Sequence, residues 1–125
     1  MFINYNNIRE DDITIDVRTS EEFNKNTIFE YNIPIINKDE HKKLKKAPFL
    51  AIPIILKGLI NNREEIKNQL LFFSYFNEKR IIVGCSKGRL RSPIMYFYAK
   101  TLGINVKVLK KGIKTYIITE EIQCN

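Results

Sequence analysis

The sequence predicts an α/β fold with a mainly parallel central sheet flanked by helices. Short β-branched runs alternate along the chain with longer segments of helical period. One run, Arg80-Ile81-Ile82-Val83-Gly84, is continuously apolar after its first residue, as suits a parallel strand buried on both faces. Capping and breaking residues fall between the segments, at Thr19, Pro48, Asn61-Asn62 and Gly103.

Ile13-Thr14-Ile15-Asp16-Val17 alternates apolar and polar side chains and reads as the first strand. Thr19 and Glu22 then have capping-box spacing for a helix start, which gives a strand-turn-helix unit. Asn32-Ile33-Pro34-Ile35 reads as a second short strand or an extended segment, held to an edge or an end by Pro34. A short polar helix runs from Asn37 to about Lys46 and stops before Pro48. Between Pro53 and Phe76, Ile55, Leu59, Ile66, Leu70 and Phe73 recur at helical intervals. A break near Gly58 or Asn61-Asn62 makes this two helices. After the buried strand come a helix from about Ser92 to Leu102, a last strand at Val106-Lys107-Val108, and a closing helix over Ile113 to Ile122.

With 125 residues, 44% of them hydrophobic, the chain suits one domain over residues 1–125 and leaves no room for two enzymes. Ile, Leu, Val and Phe recur throughout, which excludes a disordered protein. The first residues show no signal-peptide pattern, and no apolar stretch approaches the roughly 20 residues of a membrane span, so the expectation is a soluble, cytoplasmic protein. Two cysteines, Cys85 and Cys124, are too few for a disulfide framework.

The net charge is +7, but it is unevenly spread. Ten basic residues and no acid lie between Lys79 and Lys114, which leaves −3 on the rest of the chain. Such a segment points to an anionic partner, phosphate or nucleic acid. The second cluster, Lys42, Lys43, Lys45 and Lys46, reads as a solvated helix face.

The chemistry concentrates in Cys85-Ser86-Lys87-Gly88-Arg89-Leu90-Arg91-Ser92, between the buried strand and the next helix. Open α/β sheets bind ligands at the carboxyl ends of their strands. A loop curling around the Cys85 sulfur would aim successive N–H groups and a helix N-terminus at one spot, an anion-binding nest. Such a field favours the thiolate and lowers the thiol from its usual value of about 8.5. Gly88 permits the curl, and Arg91 and Ser92 offer donors to an oxyanion. The alternative, an inert buried cysteine with solvated arginines, has to explain a strand end, a glycine, three basic residues and a helix start arriving together.

Ile15-Asp16-Val17-Arg18, Glu22-Phe23 and Asn32-Ile33-Pro34, with the cysteine loop far downstream, resemble the rhodanese domain over most of residues 11–118. The resemblance implies a three-layer rhodanese-like fold and a cysteine that carries sulfur or, in some branches, works on phosphate. More narrowly, the loop is similar to the Cys-x-Arg-Gly-Gly-x-Arg-Ser loop of the tRNA 2-selenouridine synthases. The stretch Ile33-Pro34-Ile35-Ile36-Asn37-Lys38-Asp39-Glu40-His41 resembles their segment after the second strand. This likeness implies that Cys85 is the reactive thiol and that Ser86, Lys87, Gly88, Arg89, Leu90, Arg91 and Ser92 hold selenophosphate, the co-substrate. It also implies that wobble 2-thiouridine in tRNA is converted to 2-selenouridine, by way of a geranylated intermediate. Those synthases carry a second, P-loop domain. No G-x-x-x-x-G-K-[ST] run exists here, so the expectation is a split enzyme whose P-loop half is a separate protein.

Five residues stand between Cys85 and Arg91, where ordinary thiosulfate sulfurtransferases have four. The wider loop suits a tetrahedral, phosphate-sized group. It also matches the cysteine-dependent phosphatases, so a phosphatase or arsenate reductase on this fold is the first alternative. A generic sulfurtransferase and a non-catalytic binding module follow. Departures from the pattern are Arg89 at the second loop glycine, Thr27-Ile28 for the His-Ile pair, and Lys111-Gly112 for Gly-Gly.

Asp16 and Arg18 read as structural support that ties the strand end to the loop. Glu22 is a cap, His41 a surface residue without metal-ligand spacing, and Cys124 a bystander near the C-terminus. Phe72, Phe73, Tyr75, Phe76, Tyr96, Phe97 and Tyr98 are assigned to the core or a partner interface. No cofactor and no metal are expected.

Overall fold

The computed structural model describes residues 1–87 and 89–115. Five strands, β1 (Phe2–Ile3), β2 (Ile13–Asp16), β3 (Tyr31–Asn32), β4 (Ile81–Gly84) and β5 (Val106–Leu109), form one sheet in the order β1-β5-β4-β2-β3. Every pairing is parallel, with Ile15 opposite Val83 and Val83 opposite Val108. The strand most apolar in sequence, β4, sits at the centre, buried along its whole length.

Because alternate strand residues face opposite ways, β4 feeds two cores. Ile81 and Val83 pack into the larger one, with Ile55, Leu59, Ile66, Leu70, Met95 and Ala99 from helices α3 (Ala51–Asn61), α4 (Arg63–Phe73) and α5 (Arg91–Thr101). Ile82 turns to the other face, against Phe29, Leu109 and Ile113. The sheet therefore lies between two layers, as the α/β reading requires.

The first two helices are set by their caps. Thr19 and Glu22 close a capping box on α1 (Ser20–Lys25), and Asn37 and Glu40 close another on α2 (Lys38–Lys46). The α3 helix starts at Ala51, ahead of Pro53, which fits a first turn where its missing N–H costs nothing. The break before α4 falls at Asn62. Gly58 lies inside α3, where an added Cβ would stand 2.7 Å from the Ile35 carbonyl oxygen; a glycine lets the helix approach that loop.

Several expected elements differ in extent. The second strand is only Tyr31–Asn32, paired on one side, and Pro34 falls beyond it. β1 was not foreseen, since two residues carry no period. Residues 113–115 are helical, and the remaining span expected as a closing helix, with Cys124, lies outside the described residues. Of the seven aromatics assigned to the core or an interface, Phe72, Tyr75, Phe76 and Phe97 are exposed. Two of these, Tyr75 and Phe76, sit at the turn into β4, where Tyr75, Phe76 and Asn77 all have positive φ. That conformation is strained for side chains with a Cβ. Hydrogen bonds from Phe76 N–H to Leu71 O (2.8 Å) and Asn77 N–H to Ser74 Oγ (3.1 Å) hold it.

Candidate active site

Connections leave β2 toward β3 and β4 toward β5, in opposite directions across the sheet. The carboxyl ends of β2 and β4 therefore flank a topological switch point, where doubly wound sheets open a crevice for ligands. Cys85 stands at that end of β4, and Asp16, Val17 and Arg18 stand at the end of β2.

Cys85 is 3% exposed and belongs to the larger core. Its sulfur lies 3.2 Å from the Ser92 hydroxyl at the start of α5. The Cys85 carbonyl accepts from Ile113 N–H (2.8 Å) and the Ser86 carbonyl from Lys114 N–H (3.0 Å), so the loop is tied down by its carbonyl edge. The amides of Ser86, Lys87, Arg89 and Leu90 have no acceptor among the described residues. Lys87 and Arg89 are exposed, Leu90 packs against the core, and Gly88 lies outside the described residues. Lys110, Lys111 and Lys114, all exposed, follow β5 beside the same loop.

Arg91 is buried and its fork is engaged. Nη1–H donates to Glu22 Oε1 (2.7 Å), while Nη2–H groups reach Glu22 Oε2 (3.4 Å) and Ser86 Oγ (3.0 Å). Ser86 Oγ–H in turn donates to Glu22 Oε2 (2.8 Å). Burial pushes the Glu22 carboxyl up. The hydrogen bond and charge of Arg91, with the Ser86 hydroxyl and the Thr19 N–H, outweigh this and hold it at about 2. His41 Nδ1 lies 3.7 Å from Glu22 Oε1. Burial lowers the His41 pKa more than the Glu22 charge raises it, so the ring is neutral at neutral pH.

Asp16 and Arg18 form a second buried pair. Arg18 Nε–H and Nη2–H donate to both Asp16 oxygens (2.7–3.0 Å), and Nη2–H also reaches Asn26 O (2.8 Å). The Asn32 amide donates to the Asp16 and Arg18 carbonyls, so the pair joins β2, β3 and the end of α1.

Two site residues escaped the sequence reading. Glu22 is a cap, but it also clamps Arg91; its capping-box spacing explained it so completely that no local signal of the second role remained. His41 is half-buried beside Glu22 rather than a surface residue, because the first turn of α2 faces the cysteine loop. Among the described residues there is no group of three or more His, Cys, Asp or Glu that could hold a metal ion.

The model of the rhodanese-like domain matches residues 4–118. This chain belongs to the rhodanese-like family. That domain is generally a sulfurtransferase-type enzyme fold, and its five-stranded parallel sheet with flanking helices is the architecture described above. A similar solved structure is the crystal structure of the N-terminal domain of a Clostridium difficile 630 protein provisionally named ATP/GTP binding. It has 22% identity and a TM-score of 0.75, and all of each chain is covered. At that identity the likeness concerns the fold. No curated protein matches. No helix among the described residues is long and apolar enough to cross a membrane.

Proposed function

We propose that this rhodanese-like chain is the cysteine-bearing subunit of a split tRNA 2-selenouridine synthase. It would act with selenophosphate on 2-thiouridine, and a separate P-loop protein would complete the enzyme. The observation that carries the reading is the position of Cys85 at the switch point, at the start of a loop whose Ser86, Lys87, Arg89 and Leu90 amides have no acceptor among the described residues, with a basic rim of Lys87, Arg89, Lys110, Lys111 and Lys114. Amides converging from a loop and a helix start favour a tetrahedral oxyanion, and the exposed cations raise its local concentration. The same cations suit the phosphates of tRNA. The similar domain from Clostridium difficile, N-terminal in a protein provisionally named ATP/GTP binding, supports pairing a domain of this shape with a nucleotide-binding partner.

In this site Cys85 is the reactive thiol. The Ser92 hydroxyl supports its sulfur, and the amides of Ser86, Lys87, Arg89 and Leu90, with the Lys87 and Arg89 side chains, receive the anion. Glu22 and Ser86 engage both Nη atoms of Arg91, and among the described residues its Nε–H and one Nη1–H have no acceptor and would serve a ligand. The overall exchange replaces carbonyl-like C=S by C=Se, consumes one water, and releases sulfide and phosphate. It is redox-neutral and calls for no external oxidant or reductant.

The spacing of Cys85, five residues, Arg91 and Ser92 also favours a second reading, a cysteine phosphatase. Aryl phosphate turnover by the chain alone, lost in Cys85→Ser, would establish that reading. For the synthase, Cys85→Ser should abolish selenium transfer in the reconstituted pair while circular dichroism and unfolding stay unchanged. Retained transfer would reject the role of Cys85.

A further inference from the structure

The inner face of α3, with Ala51, Ile55, Gly58 and Leu59, supplies the core contacts of that helix. Its outer face is apolar as well. Ile52, Leu56 and Ile60 form a stripe at four-residue spacing, exposed by 53%, 42% and 57%. Phe49, 84% exposed, and Leu50 extend it from the 3-10 turn before the helix. A helix apolar on both sides is ordinarily covered on both. Together these side chains present on the order of 400 Å² of apolar surface, the scale of patches that mark interaction sites.

We propose that this face docks a second copy of the same chain, with the two α3 helices antiparallel across a twofold axis. The charges at its ends argue for that occupant. The N-terminal end of the stripe follows directly on the last turn of α2, which carries exposed Lys43, Lys45 and Lys46. The C-terminal end leads into the first turn of α4, with exposed Glu64 and Glu65, and Arg63 beside them, leaving that end net negative. In an antiparallel pair the lysines of one protomer meet the glutamates of the other, twice, by symmetry. A parallel arrangement would set like charges together. The apolar centre with charged ends has the composition of a standard protein interface, which uses about 800 Å² per partner. The apolar stripe contains no residue of the cysteine loop, and the proposal stands whatever reaction Cys85 performs.

Sedimentation velocity of the full chain over a concentration series tests it. Wild type should move as a species of twice the monomer mass. Ile52→Glu with Leu56→Glu should give a monomer whose circular dichroism and unfolding match wild type. Lys45→Glu with Lys46→Glu, and separately Glu64→Lys with Glu65→Lys, should each be monomeric, and an equimolar mixture of these two charge variants should associate again. A monomeric wild type, dimers indifferent to the Ile52 and Leu56 changes, or charge variants that fail to associate on mixing would each overturn the proposal. So would a wild-type monomer that co-sediments with vesicles of phosphatidylserine and phosphatidylcholine, which would give the face to lipid.

Discussion

Replacing Glu22 by glutamine should destabilise the fold by about 3 kcal/mol at neutral pH. A carboxyl held at about 2 against an ordinary 4.5 is stabilised in the folded chain by about 1.4 kcal/mol for each pH unit of difference. The side chain is 20% exposed, so solvent screening leaves most of that energy in place. Glutamine keeps the volume but loses the charge, and Arg91 would remain buried without its counter-ion. For a domain of this size the loss corresponds to a fall in Tm of about 10 °C. Because the folded-state pKa is depressed, the contribution is complete above about pH 4.5 and disappears as pH falls through about 2. Guanidinium unfolding of wild type and Glu22→Gln at neutral pH and at about pH 3 reads this directly; the gap should shrink to about half at the lower pH. A gap under about 1 kcal/mol at neutral pH, the size of a surface pair, would refute the clamp. So would a gap that does not change with acid.

Asp16→Asn should cost about 3 kcal/mol or more in urea unfolding, because Arg18 stays buried without its carboxylate; adding Arg18→Met should recover part of the loss. Gly58→Ala should destabilise by about 1–3 kcal/mol despite the roughly 1 kcal/mol advantage of alanine in a helix, since the new Cβ meets Ile35 O at 2.7 Å and Ile36 Cγ2 at 2.9 Å. His41 holds a proton less readily folded than unfolded, so its contribution is complete above about 6.5 and is lost as pH falls below that value. His41→Gln should flatten the stability profile in that range when Tm is followed against pH.

The parts of the fold that were legible in sequence are those whose information is local. β4 announces itself by a continuous β-branched run, and the Cys85 loop by the turn and helix start that follow it. The capping box at Thr19 placed the first helix because both its partners lie within four residues, and the polar run that stops before Pro48 placed the second; the Asn37 box emerges only in the structure. β1 and the shortened β3 were not legible, since two residues become strand only when a neighbour supplies the ladder. The Glu22–Arg91 clamp spans 69 residues of sequence, and nothing at either end marks it. Periodicity found the α3 helix but could not tell its buried Ile55 and Leu59 from its exposed Ile52, Leu56 and Ile60, because both stripes repeat every four residues. Sequence left Phe72, Tyr75 and Phe76 open between core and partner interface for a related reason: composition gives hydrophobicity, and the left-handed turn that lifts Tyr75 and Phe76 outward is a tertiary property.

The most direct measurement is alkylation of the intact chain by iodoacetamide, with the modified residue identified by mass spectrometry, in the presence and absence of inorganic phosphate. Modification of Cys85 should remove selenium transfer by the reconstituted pair, and phosphate should slow it, because the anion and the reagent compete for the space above one sulfur. A Cys85 that stays unmodified while Cys124 reacts, or that reacts at a rate indifferent to phosphate, would contradict an anion seat at the end of β4.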